Sequence, residues 1–124
     1  MVKRFSDNDV RSAPYHALQI WQILICKAVN RQTMTYGELA EILGFKGAQV
    51  LGGFLEYILR YCAKNDLPSL TVLVVNQTTG LPGAGFPQEN LHSERERVFR
   101  FKWFGLLPPT PADFAETAKK NAGG

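Results

Sequence analysis

The stretch MTYGELAEILGFKGAQVLGG, residues 34–53, carries the signals that decide the fold. Thr35 stands three residues before Glu38, the spacing of a capping box, in which the threonine oxygen accepts an orphan backbone N–H and the glutamate reaches back to the cap. A short helix is therefore expected from Tyr36. It would bury Tyr36, Leu39, Ala40 and Leu43, and Gly44 supplies a stop that tolerates a left-handed conformation. The link Gly44-Phe45-Lys46-Gly47 leads into a third helix, expected over residues 48–65, with Leu51, Phe54, Leu55, Ile58 and Cys62 as its apolar side. Two helices joined by a glycine-containing turn form a helix-turn-helix. Lys46, Gln49, Gly53, Glu56 and Arg60 fall close together opposite the apolar stripe, so this face meets solvent or a ligand.

Upstream, Tyr15, Leu18, Trp21, Leu24, Ile25, Ala28 and Val29 recur at three- and four-residue spacing behind Ser12 and Pro14, which predicts an amphipathic first helix over residues 13–30. Downstream, Asp66-Leu67-Pro68 breaks the third helix, and the β-branched run 70–75 is expected to be a buried strand. Residues 77–86, with Gly80, Pro82, Gly83 and Gly85, form a compact loop placed like a wing. A helix is expected over 91–104, although 99–103 alternates like a strand. Pro108, Pro109 and Pro111 then precede a final short helix capped at Thr110. The expected architecture is α+β: a mostly helical, winged-helix-like helix-turn-helix domain over 13–104, with an N-terminal extension (1–12) and a proline-rich C-terminal segment with a short helix (105–124).

At 124 residues, 45% hydrophobic and 20% charged, the chain has the composition of one soluble domain able to build its own core. Two cysteines, Cys26 and Cys62, each flanked by apolar residues, argue against a disulfide framework and against a zinc site, and point to inert packed thiols in a reducing cytoplasm. No metal or cofactor is expected. The apolar runs fall short of the roughly 20 residues of a membrane span, and the first residues lack the apolar core of a signal peptide. Neither export nor membrane insertion is expected. Fourteen Lys and Arg against eleven Asp and Glu give a net charge of +3, which permits a polyanionic partner without demanding one.

Three segments, taken in order, resemble the DNA-binding domain of alkylguanine DNA alkyltransferases, and in particular the alkyltransferase-like proteins that lack the reactive cysteine. The first is Ile20-Trp21-Gln22 followed by Met34-Thr35-Tyr36-Gly37-Glu38-Leu39-Ala40; the second is Ala48-Gln49-Val50-Leu51-Gly52-Gly53; the third is Leu67-Pro68 and Val74-Val75-Asn76 followed by Gly80. The resemblance covers about residues 15–102 and rests on the order and spacing of all three. It implies a non-enzymatic protein that binds double-stranded DNA in a salt-dependent way and recognises damaged or flipped bases. The DNA contacts it implies are Tyr36 at a phosphate, Lys46 and the Gly47 N–H at the backbone, Gln49 in the groove, and Gly53 and Arg60 on the same face. The base pocket it implies consists of Tyr36, Ser69, Thr71, Asn76, Pro82, Gly83 and Phe86.

Departures from the family pattern bear on function. Alkyl transfer needs a thiolate activated by a neighbouring histidine. Depending on the side from which the third segment is aligned, Ser69 or Thr71 stands at the cysteine, and Leu70 or Val72 at the histidine. A hydroxyl with no local base cannot replace a thiolate, and the only histidines, His16 and His92, lie in other segments. Gln49 stands where the family has an arginine that fills the gap left by an extruded base. Loss of both groups leaves a second reading open, a protein-interaction module such as an inhibitor or adaptor on the same scaffold. Gly52-Gly53 would serve either close approach to a phosphate backbone or tight packing of the third helix.

Overall fold

A computed structural model describes residues 4–5, 12–83 and 88–123. Helix α1, Ala13–Val29, turns a stripe of Ala17, Ile20, Trp21, Leu24, Ile25 and Ala28 inward, whereas Tyr15 and Val29, expected on the stripe, are exposed. The buried face is rotated by about one residue because Ala17 and Ile20, not Tyr15, meet the helices packed above it. A two-residue strand β1, Met34–Thr35, leads into α2, Tyr36–Leu43. The capping box at Thr35 is complete: Glu38 N–H donates to Thr35 Oγ1 at 3.0 Å, and Thr35 N–H donates to Glu38 Oε1 at 2.9 Å. That second bond, from the Thr35 backbone, holds the Glu38 carboxyl below its usual pKa.

Helix α3, Leu51–Lys64, starts three residues later than expected. None of residues 47–50 is a Ser, Thr, Asp or Asn that would hold the orphan N–H groups of a first turn, and Val50 at the N-cap makes no side-chain hydrogen bond. Residues 46–50 therefore form an open turn. The apolar side of α3 is as expected: Leu51, Phe54, Leu55, Ile58 and Cys62 are all buried.

Helices α1, α2 and α3 end in the same way. Gly44 closes α2 at φ +83°, with Phe45 N–H donating to Ala40 O at 2.9 Å. At the ends of α1 and α3 the left-handed residues are Arg31 (φ +55°) and Asp66 (φ +57°), and the following N–H groups, of Gln32 and Leu67, bond to Lys27 O and Cys62 O. In both cases the preceding asparagine, Asn30 or Asn65, donates its side-chain amide to the carbonyl four residues back at 2.9 Å.

The expected strand at 70–75 is mostly a 3₁₀ turn, Leu70–Leu73, and only Val74–Val75 forms a strand, β2. β2 pairs in parallel with β1, Met34 opposite Val74 and Thr35 opposite Val75. β1 offers only two residues of ladder, and the segment is buried throughout, so its remaining backbone closes on itself, Val72 N–H donating to Ser69 O at 3.0 Å. After β2 the chain turns back: Asn76 Oδ1 accepts the N–H groups of Thr78 and Thr79, Asn76 N–H donates to Leu81 O, and Pro82 bridges antiparallel to Val75.

Helix α4, Leu91–Arg100, ends before residue 104 because Trp103 folds back into the core, its indole N–H donating to Val98 O at 2.8 Å. Helix α5, Pro111–Gly123, starts with a second reciprocal cap, between Thr110 and Asp113. Phe114 of α5 is fully buried against Trp21 and Tyr61, so the segment after residue 104 completes the core instead of trailing from it. Trp21 also meets Tyr61 and Trp103 edge-on, with ring centroids 5.5 and 5.6 Å apart. The described residues thus form a mostly helical α+β fold with one small parallel sheet. None of their helices is long and apolar enough to cross a membrane.

Candidate functional site

Capping places Tyr36 at the first turn of α2, next to β1. Pairing of β1 with β2 brings the turn that follows β2 to the same place, and the Tyr36 hydroxyl lies so close to Gly83 that a Cβ there would stand 2.5 Å from the oxygen. The 3₁₀ turn brings Thr71 up from below. Together with Gly52, Leu55, Glu56 and Leu59 of α3, these three residues line a cavity of about 190 Å³. Thr71 is only 7% exposed, and its Oγ1 is buried with no hydrogen-bond partner among the described residues. Leaving a buried hydroxyl unpaired costs about 1–3 kcal/mol, so this atom is where a bound group would contribute most.

Three of the residues expected in a base pocket, Tyr36, Thr71 and Gly83, therefore share one cavity, and the others do not join them. Pro82 adjoins Gly83 in the bridge to Val75, and Asn76 uses its side chain to shape the turn. Phe86 lies outside the described residues. Ser69 lines a different cavity, of about 290 Å³, with Cys62, Asp66, Glu94 and Arg97; its N–H donates to Glu94 Oε2 at 2.6 Å. The 3₁₀ turn separates the two hydroxyls, which a continuous strand would have carried on one face.

Of the residues expected to contact DNA, Lys46, Gly47 and Gln49 sit in the open turn before α3 and not on the helix. Gln49 folds its amide over Gly47, where a Cβ would clash with Oε1. Gly53 and Arg60 lie on α3, and Arg60 Nε donates to Glu56 Oε1 at 2.9 Å. A Cβ on Gly52 or Gly53 would meet nothing within 4 Å, so tight packing is not what these glycines provide. Glu56, Gly52 and Leu59 line the cavity without having been expected there, although their spacing of three and four places them on one face of α3.

The thiols lie elsewhere. Cys62 is buried near the C-terminal end of α3, where it lines the Ser69 cavity, and desolvation pushes its pKa up to about 11. Cys26, expected to be packed, is exposed because the buried face of α1 is rotated away from it; it lines an open groove between α1 and α2 with Phe5, His16 and Ile42. His16 stacks on Phe5 in that groove, and burial lowers its pKa. That groove shares no lining residue with the Tyr36 cavity. Among the described residues, no group of three His, Cys, Asp or Glu side chains could hold a metal ion.

Compared with family models, with curated proteins and with solved structures, the chain matches none.

Proposed function

We propose that this protein binds duplex DNA without catalysis, in the manner of the alkyltransferase-like proteins, presenting α3 as the second helix of a winged helix-turn-helix and the turn after β2 as its wing. The observation that carries this reading is the convergence of Tyr36, Thr71 and Gly83 on one small cavity beside α3, where the buried Thr71 hydroxyl has no partner among the described residues. A cavity of about 190 Å³ suits a single extruded base and is too small for a whole nucleotide. Neither cysteine lines it, and the buried Cys62 thiol stays protonated at neutral pH, which supports binding without alkyl transfer. Lys46 and the Gly47 N–H would meet the phosphate backbone, and Gln49 the groove.

Labelled duplex should bind weakly, with a salt slope corresponding to about two to four phosphate contacts, and intact mass after incubation with alkylguanine DNA should stay unchanged. Gln49→Arg should strengthen binding several-fold, on the order of 1 kcal/mol, and more on mismatched duplex. No binding at low salt would favour the second reading, a protein-interaction module. The observation favouring that reading is the open groove between α1 and α2, about 630 Å³, rimmed by Phe5, Ile23 and Ile42, with Ile42 59% exposed.

A further inference from the structure

Helix α4 lends no residue to the lining of the Tyr36 cavity, yet two consecutive residues on it hold the segments that do. Glu94 Oε2 accepts the Ser69 N–H at 2.6 Å, which fixes α4 to the start of the 3₁₀ turn that carries Thr71. Arg95 Nη2 donates to Gly80 O at 2.9 Å, in the turn that leads on to Gly83. The bonds inside that turn fix its shape and leave its place open: Asn76 Oδ1 accepts from the N–H groups of Thr78 and Thr79, and Asn76 N–H donates to Leu81 O. Its place is set at the base by the bridge from Pro82 to Val75, and at the tip by Arg95.

Placement matters here because the approach is close. A Cβ on Gly83 would stand 2.5 Å from the Tyr36 oxygen, and the cavity between them holds only about 190 Å³. A binding constellation has to be kept within about 0.5 Å of its productive geometry. Arg95 is half-buried, and its Nε is closed off from water with no hydrogen-bond partner among the described residues, so the side chain is packed into the fold and not spread over the surface as a cation offered to phosphate. We infer that Arg95 is a positioning residue of the Tyr36 cavity: through Gly80 O it sets Gly83 against Tyr36, and Glu94 beside it ties the same helix to the turn that carries Thr71. The inference rests on the reading of the cavity as a base pocket.

The test uses the full chain, a fully paired duplex, and the same duplex carrying one guanine opposite an abasic site, at one fixed salt concentration. Arg95→Met keeps the length of the side chain and removes its charge and donors. By anisotropy it should lower affinity for the abasic duplex about fivefold, the worth of one hydrogen bond, and leave the paired duplex unchanged. Arg95→Lys, whose ammonium can donate to the same carbonyl, should restore most of the preference. A merely structural arginine would lower the urea midpoint and leave the ratio of the two affinities as it is. Should Arg95→Met fail to fold, Arg95→Gln, too short to reach Gly80 O, carries the same expected loss of ratio. An unchanged ratio overturns the inference. So does an equal loss on both duplexes with a salt slope reduced by about one, which would make Arg95 a phosphate contact. If wild type binds no duplex at low salt, or binds both alike, the base-pocket reading falls and the Tyr36 ring resonances of the free protein decide. Displaced in Arg95→Met and restored in Arg95→Lys, they uphold Arg95 as the residue that places the turn; unmoved, they overturn it.

Discussion

Two cavities flank the 3₁₀ turn Leu70–Leu73, and the hydroxyl residues at Ser69 and Thr71 open onto different ones. On the Ser69 side the polar groups answer one another: the Ser69 N–H is taken by Glu94 Oε2, and Glu94 Oε1 is paired with Arg97 Nη1 at 2.8 Å. On the Thr71 side the hydroxyl is buried and has no hydrogen-bond partner among the described residues. The first network explains itself as structure, because Glu94 ties α4 to the turn through the Ser69 N–H and is itself held by Arg97 one turn along the same helix. The second does not, and a buried hydroxyl of this kind is one that a bound polar group would satisfy.

The contrast breaks most visibly on the Ser69 side. Glu94→Ala strands a part-buried N–H and releases Arg97, and should destabilise the fold by about 2–3 kcal/mol, measured as a shift in the urea midpoint. Glu94→Gln, which keeps an acceptor oxygen, should lose clearly less. If Glu94→Ala costs nothing, the network is not what closes that cavity. Next comes Gly83→Ala, whose new Cβ would stand 2.5 Å from the Tyr36 oxygen. Tyrosine has a stiff ring, so the tyrosine or the turn must move, at about 1–2 kcal/mol, and affinity for duplex with an unpaired base should fall with it. Unchanged stability and affinity would mean that Tyr36 yields freely and does not shape the cavity.

Thr71→Val sharpens the comparison because its two effects have opposite signs. Replacing an unpaired hydroxyl by a methyl of similar size should stabilise the protein by about 1 kcal/mol while weakening binding of an extruded base. A loss of stability would show that the hydroxyl has a partner after all. The smallest effect is expected at Asp66, which rims the Ser69 cavity in the left-handed conformation. Asp66→Gly removes that strain and should raise stability by about 0.5 kcal/mol net of the added chain entropy of glycine, read as a small increase in Tm. Arg31 is the poorer place for the same substitution, since its guanidinium pairs with Glu96 at 2.6 Å and lies over Phe99.

Helix α2 and the buried side of α3 were legible in the sequence because their determinants are local. A Thr-x-x-Glu cap, a stop glycine and a three-four apolar period act within one or two turns, and Thr110 with Asp113 repeats the cap at α5. Gly44 and the Asp66-Leu67-Pro68 break advertised their helix ends, whereas Arg31 closes α1 in the same left-handed geometry with a residue that carries no such signal, and Asn30 and Asn65 supply an extra bond at the ends of α1 and α3. Tyr36 and Gly83 could be named in advance, but their approach depends on which strands pair.

What only the tertiary structure decided lies where backbone or side-chain partners are remote. Residues 70–75 have the β-branched composition of a strand, yet a strand needs a ladder, and β1 supplies two residues of it. The remainder closed into a turn, and that single change of period sent Ser69 to Glu94 and Thr71 to Tyr36. Phe114 likewise follows three prolines and looks peripheral in the chain, but Trp21 and Tyr61 leave a gap that only a later segment fills. Local chemistry set the caps, stops and apolar faces, because these involve neighbours along the chain. Long-range packing set that the Ser69 N–H meets Glu94 while the Thr71 hydroxyl is buried without a partner among the described residues, because that depends on helices joined only by the fold.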